Sequence, residues 1–273
     1  MATTPPRRSA PPTELPDWVK PPSDRSAQLL AAFDAAVTAA ERAAPEPEML
    51  PSRLSVATAA VLAVAGAGIS IVFPASRRLP LGASDAEAAV AERLQFTAGD
   101  GPCWTAQASA RPVVAGPHEM QRQWPLFHDD LMARTPYRAV VSLPLTGRLL
   151  GVGTLDLYLA TTAELRELHL ADTIAVSDAI SARLSAQLTA DQAGPDPDGS
   201  VLTGSAWLAS PGVRGRARVW QAMGLLDGEL GVPDDVALSL LRGRAHASES
   251  TVDEVAAALV DGRLTVEDLR SDG

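Results

Sequence analysis

Apolar residues recur along this chain at two different periods, and the places where the period changes divide it into parts. Over 27–44, Leu29, Leu30, Phe33, Val37 and Ala40 fall on one face of a helix, which Pro45 and Pro47 end. A second helical pattern runs from 49 to 64 and stops at Gly66 and Gly68. Short runs rich in β-branched residues follow, giving strands at 68–73, 79–83, around Val113 and Val114, at 138–145 and at 150–159. Helices are predicted between them at 85–94 and 125–133, and Thr146, Gly147 and Arg148 join the last two strands as a hairpin. A long helix over 163–188 turns Leu165, Leu168, Ile174, Ile180 and Leu184 inward. Past a stretch rich in Asp, Gly and Pro, helical periodicity returns at 214–230, 234–247 and 250–260. The punctuation fits: Gly231 and Pro233 stop the first of these, Asp234 can cap the second, and Thr251 with Glu254 can form a capping box for the third.

The pattern predicts an α+β chain in successive parts. A disordered tail with seven prolines covers 1–24, an N-terminal helix 25–48, and a mixed sheet-and-helix domain 49–188. A linker over 189–205 leads to an all-α three-helix module over 206–273. A length of 273 residues suits about two cores, and 46% hydrophobic content can fill them. Arg7 and Arg8 are followed by Pro, Ser and Thr where a signal peptide needs an apolar run, and no stretch of about 18 apolar residues could span a bilayer. The chain therefore reads as soluble and cytoplasmic, with no membrane partner.

Candidate chemistry narrows the picture further. Cys103 is the single cysteine, which excludes an internal disulfide and a cysteine-built zinc site. His118, His128, His169 and His246 lack ligand-like spacing, and no Walker loop, metalloprotease helix or nucleophile elbow is present. No metal, cofactor or catalytic set is expected, so the chain does not read as an enzyme. A net charge of −10 argues against a protein wrapped in nucleic acid, although a local basic face can exist on an acidic chain. Lys20 is the only lysine among 23 basic residues, a bias that with the abundant Ala looks like GC-rich coding.

Four strings carry a resemblance in the first domain: Leu-Gln-Phe-Thr-Ala-Gly-Asp-Gly-Pro-Cys-Trp at 94–104, Arg-Pro-Val-Val at 111–114, Gln-Trp-Pro-Leu-Phe at 123–127 and Leu-Gly-Val-Gly-Thr-Leu-Asp-Leu-Tyr at 150–158. In this order and spacing the region 50–188 resembles GAF domains of actinobacterial two-domain regulators. The resemblance implies an antiparallel sheet with helices on one side and a pocket on the other, open to an unknown small-molecule ligand. Candidate sensor or pocket residues are Cys103, Trp104, Trp124, Phe127 and Tyr158. Cys103 at the start of a helix could be a reactive thiolate or a small buried residue, and the aromatics could line a pocket or fill a core. Asp100 is read as the cap of the Gly-Pro-Cys helix.

The last module resembles the ANTAR domain. Gln221, Ala222, Gly224 and Leu226 match its first helix, Ala237, Leu241, Arg242 and Ala245 its second, and Val252, Val255, Ala256, Leu259 and Val260 its third. The family's RNA-binding antiterminators imply RNA stem-loops as partners. Val219, Met223, Leu226 and Leu230 form a core stripe, so RNA contact is expected from Arg214, Arg216, Arg218, Arg242, Arg244 and His246 on the other faces. Met223 stands where many members have Lys, and Asp227 where they have a further base. Between 213 and 263 six Arg face eight carboxylates. The expected function is a homodimeric, signal-responsive regulator of transcription antitermination. The alternative is a dimerisation or protein-interaction regulator whose last module no longer binds RNA.

Overall fold

The computed structural model describes residues 24–72, 78–191 and 205–270; all but the last residue of the tail predicted over 1–24, and most of the predicted linker, lie outside these residues. Helix α1 (Asp24–Ala43) packs on α2 (Leu50–Leu62), and the corner that Pro45 and Pro47 impose is held by Arg53, whose Nη1 donates to the Ala44 carbonyl at 2.8 Å. The chain then forms β1 (Gly66–Val72), β2 (Arg78–Ala83), α3 (Ala86–Ala98), α4 (Pro102–Ser109), β3 (Val113–Ala115), α5 (Pro117–Gln123) and α6 (Pro125–Arg134). It continues through β4 (Ala139–Pro144), β5 (Gly153–Leu159), α7 (Thr162–Glu167) and α8 (Leu170–Asp191). The last elements are α9 (Pro211–Leu230), α10 (Asp234–Ala247), α11 (Val252–Val260) and the short α12 (Val266–Arg270). The fold class is α+β, with a five-stranded sheet ordered β2-β1-β5-β4-β3 in which every neighbouring pair is antiparallel, followed by a helical region.

Side chains alternate across each strand, and here both faces are buried for different reasons. Ala67, Ile69, Ile71, Val141, Leu155 and Leu157 face an apolar core shared with Phe33 of α1, Leu54 of α2, and Ile180 and Leu184 of α8. The opposite positions are polar: Ser70 pairs with Thr154, and Ser142 with Asp156, in the strand register. Helices α3 to α6 cover that face, and beside its polar centre sit Trp124, Phe127, Leu131, Tyr137 and Tyr158.

Three features differ from the sequence pattern. The helix predicted over 163–188 is two, because Leu168 adopts an extended conformation between α7 and α8 while Leu165 and Leu168 still pack on the core. Helix α5 has no counterpart in the hydrophobic pattern because its His, Glu, Gln and Arg side chains leave only Met120 buried, too little for a period. Trp207 and Val213, placed by their sequence position in the helical module, instead lie in the apolar core of the sheet domain. The first turn of α9 thus crosses β2, and it does so at a glycine: a Cβ on Gly212 would meet the Pro80 carbonyl oxygen at 2.3 Å.

That contact sets a test. Gly212→Ala should lower stability by about 1–3 kcal/mol through overpacking against backbone, as read from urea denaturation. Gly228→Ala on the same helix meets open space and should raise stability by up to about 1 kcal/mol through helix propensity. Equal effects of the two would show that α9 does not seat on β2.

Candidate functional site

The polar face of the sheet holds a buried ion network. Arg78, 1% exposed, donates from Nη2 to Glu92 Oε2 at 2.7 Å and to Asp156 Oδ2 at 3.1 Å. Its Nη1 donates to the Glu92 carbonyl and its Nε to Ser70 Oγ. Tyr158 donates to Glu92 Oε1 at 2.7 Å, and Ser142 donates to Asp156 Oδ1. Gln95 closes the network: its Nε2 donates to Asp156 at 3.0 Å and its Oε1 accepts the Cys103 backbone N–H at 3.0 Å. Helix α3 reaches the sheet this closely because β1 carries Gly68, where a Cβ would sit 2.3 Å from Glu92 Oε1.

One guanidinium faces two carboxylates here, so the charges balance only when one carboxylate holds a proton. Burial, and next the neighbouring Glu92, push Asp156 up to about 7 against the opposing pull of Arg78, Ser142 and Gln95. Burial alone would lower Arg78, but the acidic groups Cys103, Glu92 and Asp156 around it outweigh that and keep it charged. Cys103 is fully buried, and burial pushes its thiol well above the ordinary range despite Arg78 nearby. This is the setting of a small buried residue and not of an exposed, reactive thiolate.

The last turn of α3 has a second face, turned toward the helical module. Phe96 is fully buried, and its ring lies in the cluster of Val219, Met223, Leu241, Val252 and Ala256. The Arg216 guanidinium stands 3.6 Å from the centre of that ring, with Nη1 donating to Asp253 Oδ2 at 2.9 Å. Among the described residues Arg216 Nε and Nη2 have no hydrogen-bond partner, so the ring face is what offsets their desolvation. Burial pushes Arg216 down to about 10, which leaves it charged at neutral pH. Arg242 donates from Nε and Nη2 to the Phe96 carbonyl at 3.3 and 3.1 Å, a cation placed at the carboxyl end of α3. Gly99, at φ 75°, ends that helix and makes room, since a Cβ there would meet Arg242 Cζ at 2.8 Å. Thr97 Oγ1 accepts the Val252 N–H at the start of α11, and Arg134 pairs with Glu254 at 3.5 Å.

These contacts redistribute the residues singled out in the sequence. Arg214 is exposed and donates to the Ala209 carbonyl; Arg218 is exposed and grips both oxygens of Asp261 at 2.9 Å. Arg244 and His246 are half-buried on α10, while Arg216 and Arg242 belong to the seam. The expectation that Arg216 lies on a face away from the core is corrected. Its spacing to Val219, Met223 and Leu226 puts it on the apolar stripe itself, a signal present in the sequence. Of the proposed pocket residues, Trp124, Phe127 and Tyr158 are buried together in one apolar cluster, Cys103 sits beside the ion network, and Trp104 is half-buried. The Gly-Pro-Cys helix is capped by Gly101 rather than Asp100, whose carboxylate accepts the Gly101 N–H at 2.7 Å. Glu92, Gln95, Phe96 and Arg78 are not among the site residues the sequence offers, and the signal for Arg78 and Glu92 is charge at strand and helix positions otherwise apolar.

Two measurements follow from this geometry. Asp156 has a folded-state value of about 7, above the roughly 3.9 of an unfolded chain. The folded state thus holds its proton more tightly, and the stability this contributes is lost as pH rises from about 4 to about 7. Asp156→Asn should flatten that decline in urea midpoints between pH 5 and 8; a profile as steep as the parent's would clear Asp156 of the effect. The Cys103 thiol should react with a disulfide reagent at least about 100-fold more slowly in the native protein than in urea.

No family model and no curated relative matches the sequence. Among solved structures, the GAF domain of a phosphoenolpyruvate-protein phosphotransferase from Coxiella burnetii is similar with a TM-score of 0.43 and 12% identity, over 61% of this chain and 98% of that one.

Proposed function

We propose that this protein is a signal-responsive regulator whose GAF-like sheet domain controls a C-terminal RNA-binding module that acts by transcription antitermination. The observation that carries the regulatory part is the insertion of Phe96 from the sheet domain between Arg216 and the core of the helical module. Two of the six side chains assigned to RNA are thereby occupied by the sheet domain: Arg216 on the ring of Phe96 and Arg242 on its carbonyl. In this arrangement the module is held with part of its basic set covered, and a signal acts by releasing it. The RNA part is supported by the ANTAR-like residues Gln221, Ala222, Gly224, Leu226, Ala237, Leu241, Arg242 and Ala245, which stand in the family's order. A homodimer presenting two such modules would engage two stem-loops with an avidity gain.

A second reading is favoured by a different surface. Gln221, Leu225 and Gly228 recur on the outer side of α9, and Leu225 is 43% exposed although large and apolar. Such a face suits pairing with another helix, the dimerisation or protein-interaction role that needs no RNA. Under that reading Leu225→Glu dissociates an oligomer seen by sedimentation and leaves the circular dichroism spectrum of the folded chain unchanged.

The deciding experiment is binding of the full chain to a pool of structured RNAs across salt. The parent should bind weakly, Phe96→Ala roughly tenfold more tightly through release of the arginines, and the quadruple change of Arg214, Arg218, Arg242 and Arg244 to Ala should not bind. Affinity should fall as salt rises. If neither the parent nor Phe96→Ala binds any RNA, the antitermination reading is lost and the interaction module stands.

A further inference from the structure

Between β2 and α3 on one side and α9 and α11 on the other lies a cleft of about 580 Å³. Its walls come from both halves of the chain: Pro80, Leu81 and Ala89 from the sheet domain, Gly212, Gly215 and Ala257 from the helical module. Size, apolar walls and a place between packed units are the usual attributes of a small-molecule site. The cleft adjoins the ion network on the polar face of the sheet at Glu92, which the chain has already engaged with Arg78 and Tyr158.

The charges around the cleft specify what it would take. Asp85 caps α3 through the Ala88 N–H and accepts from Tyr137, and Glu92 is bound to Arg78 and Tyr158. Arg218 is paired with Asp261, Asp253 with Arg216, and Glu254 with Arg134 and its own capping box. Arg93 is different. It is half-buried, lines the cleft, and has no carboxylate partner among the described residues. Its charge also bears unfavourably on Arg216. An apolar wall with a single unmatched cation calls for a ligand with an apolar body and one negative group.

We propose that this cleft binds an amphipathic monoanion of the carboxylate type, with its charged group on Arg93 and its apolar body along Pro80, Leu81 and Ala257. Because the walls belong to both halves, the ligand binds the docked arrangement and stabilises it by mass action. Loss of the ligand then loosens the seam that holds Phe96 against Arg216. The inference rests on the docked arrangement and gives the regulatory reading a chemical signal, but its test uses no RNA, so it can fail while RNA binding stands, and the reverse.

The experiment titrates the full chain with decanoate and with naphthalene-2-carboxylate by calorimetry, using decan-1-ol as the uncharged comparison. Three variants are used: Arg93→Gln, Gly215→Leu and Gly228→Leu. Cβ atoms at Gly215 and Gly228 both meet open space, but only Gly215 lines the cleft, so the first substitution fills it and the second does not. The parent should bind one of the two acids saturably at one per chain. Arg93→Gln should weaken the acid about tenfold and leave decan-1-ol unchanged. Gly215→Leu should abolish binding of both, and Gly228→Leu should retain it, with circular dichroism melts showing each variant folded. Absence of saturable binding of either acid by the parent overturns the proposal, as does binding indifferent to Gly215→Leu; an affinity unaltered in Arg93→Gln overturns the assignment of a monoanion.

Discussion

The arrangement of the two halves depends on one buried cation. Arg216 is wholly enclosed, with Asp253 on one side and the ring of Phe96 on the other. Removing a charge of this kind from water costs several kcal/mol, and removing one partner of a buried pair typically costs about 3–5 kcal/mol. Docking takes the Arg216 guanidinium out of water, and among the described residues Asp253 meets only Nη1 and leaves Nε and Nη2 without a hydrogen bond. The aromatic face that offsets them belongs to the sheet domain. Docking therefore joins a burial of apolar surface to the desolvation of one cation, which the Phe96 ring and Asp253 offset.

Helix α3 is where the two burdens meet. Gln95 and Phe96 are consecutive, and side chains on consecutive helical residues point about 100° apart. Gln95 is bound to Asp156 and to the start of α4, while Phe96 is bound into the module. The sheet's ion network and the seam are therefore read by adjacent residues of one rigid element. Glycines fix the spacing at both ends: Gly68 lets Glu92 reach the sheet, and Gly99 lets Arg242 reach the end of the helix.

How much of this the sequence displays depends on whether the partner of a residue is near in the chain. The strand at 138–145, the part of the 150–159 strand from Gly153 on, the helices of the last module, the left-handed Gly231 and the capping box of Thr251 and Glu254 are legible, since period and local hydrogen bonding decide them. The motif at 94–104 is legible as a motif, but its roles are not. Gln95, Phe96, Thr97 and Gly99 act on Asp156, Arg216, Val252 and Arg242, each dozens to more than a hundred residues away. For the same reason the arginines of the module read as a solvent face, although Arg216 shares the spacing of the apolar stripe. Trp207 and Val213 stand beyond a segment that reads as a linker, and nothing local to them says that they return to the first core.

The seating of Phe96 also bears on how such a chain can change over evolutionary time. Proteins with a sensing part and an output part are often pictured as interchangeable cassettes joined by a tether. Here the helical module has an aromatic residue of its core on loan from the sheet domain, so separating the two by recombination would leave a cavity in one fragment and an exposed ring on the other. The two parts are bound to a shared lineage, and substitutions in either are constrained by the other.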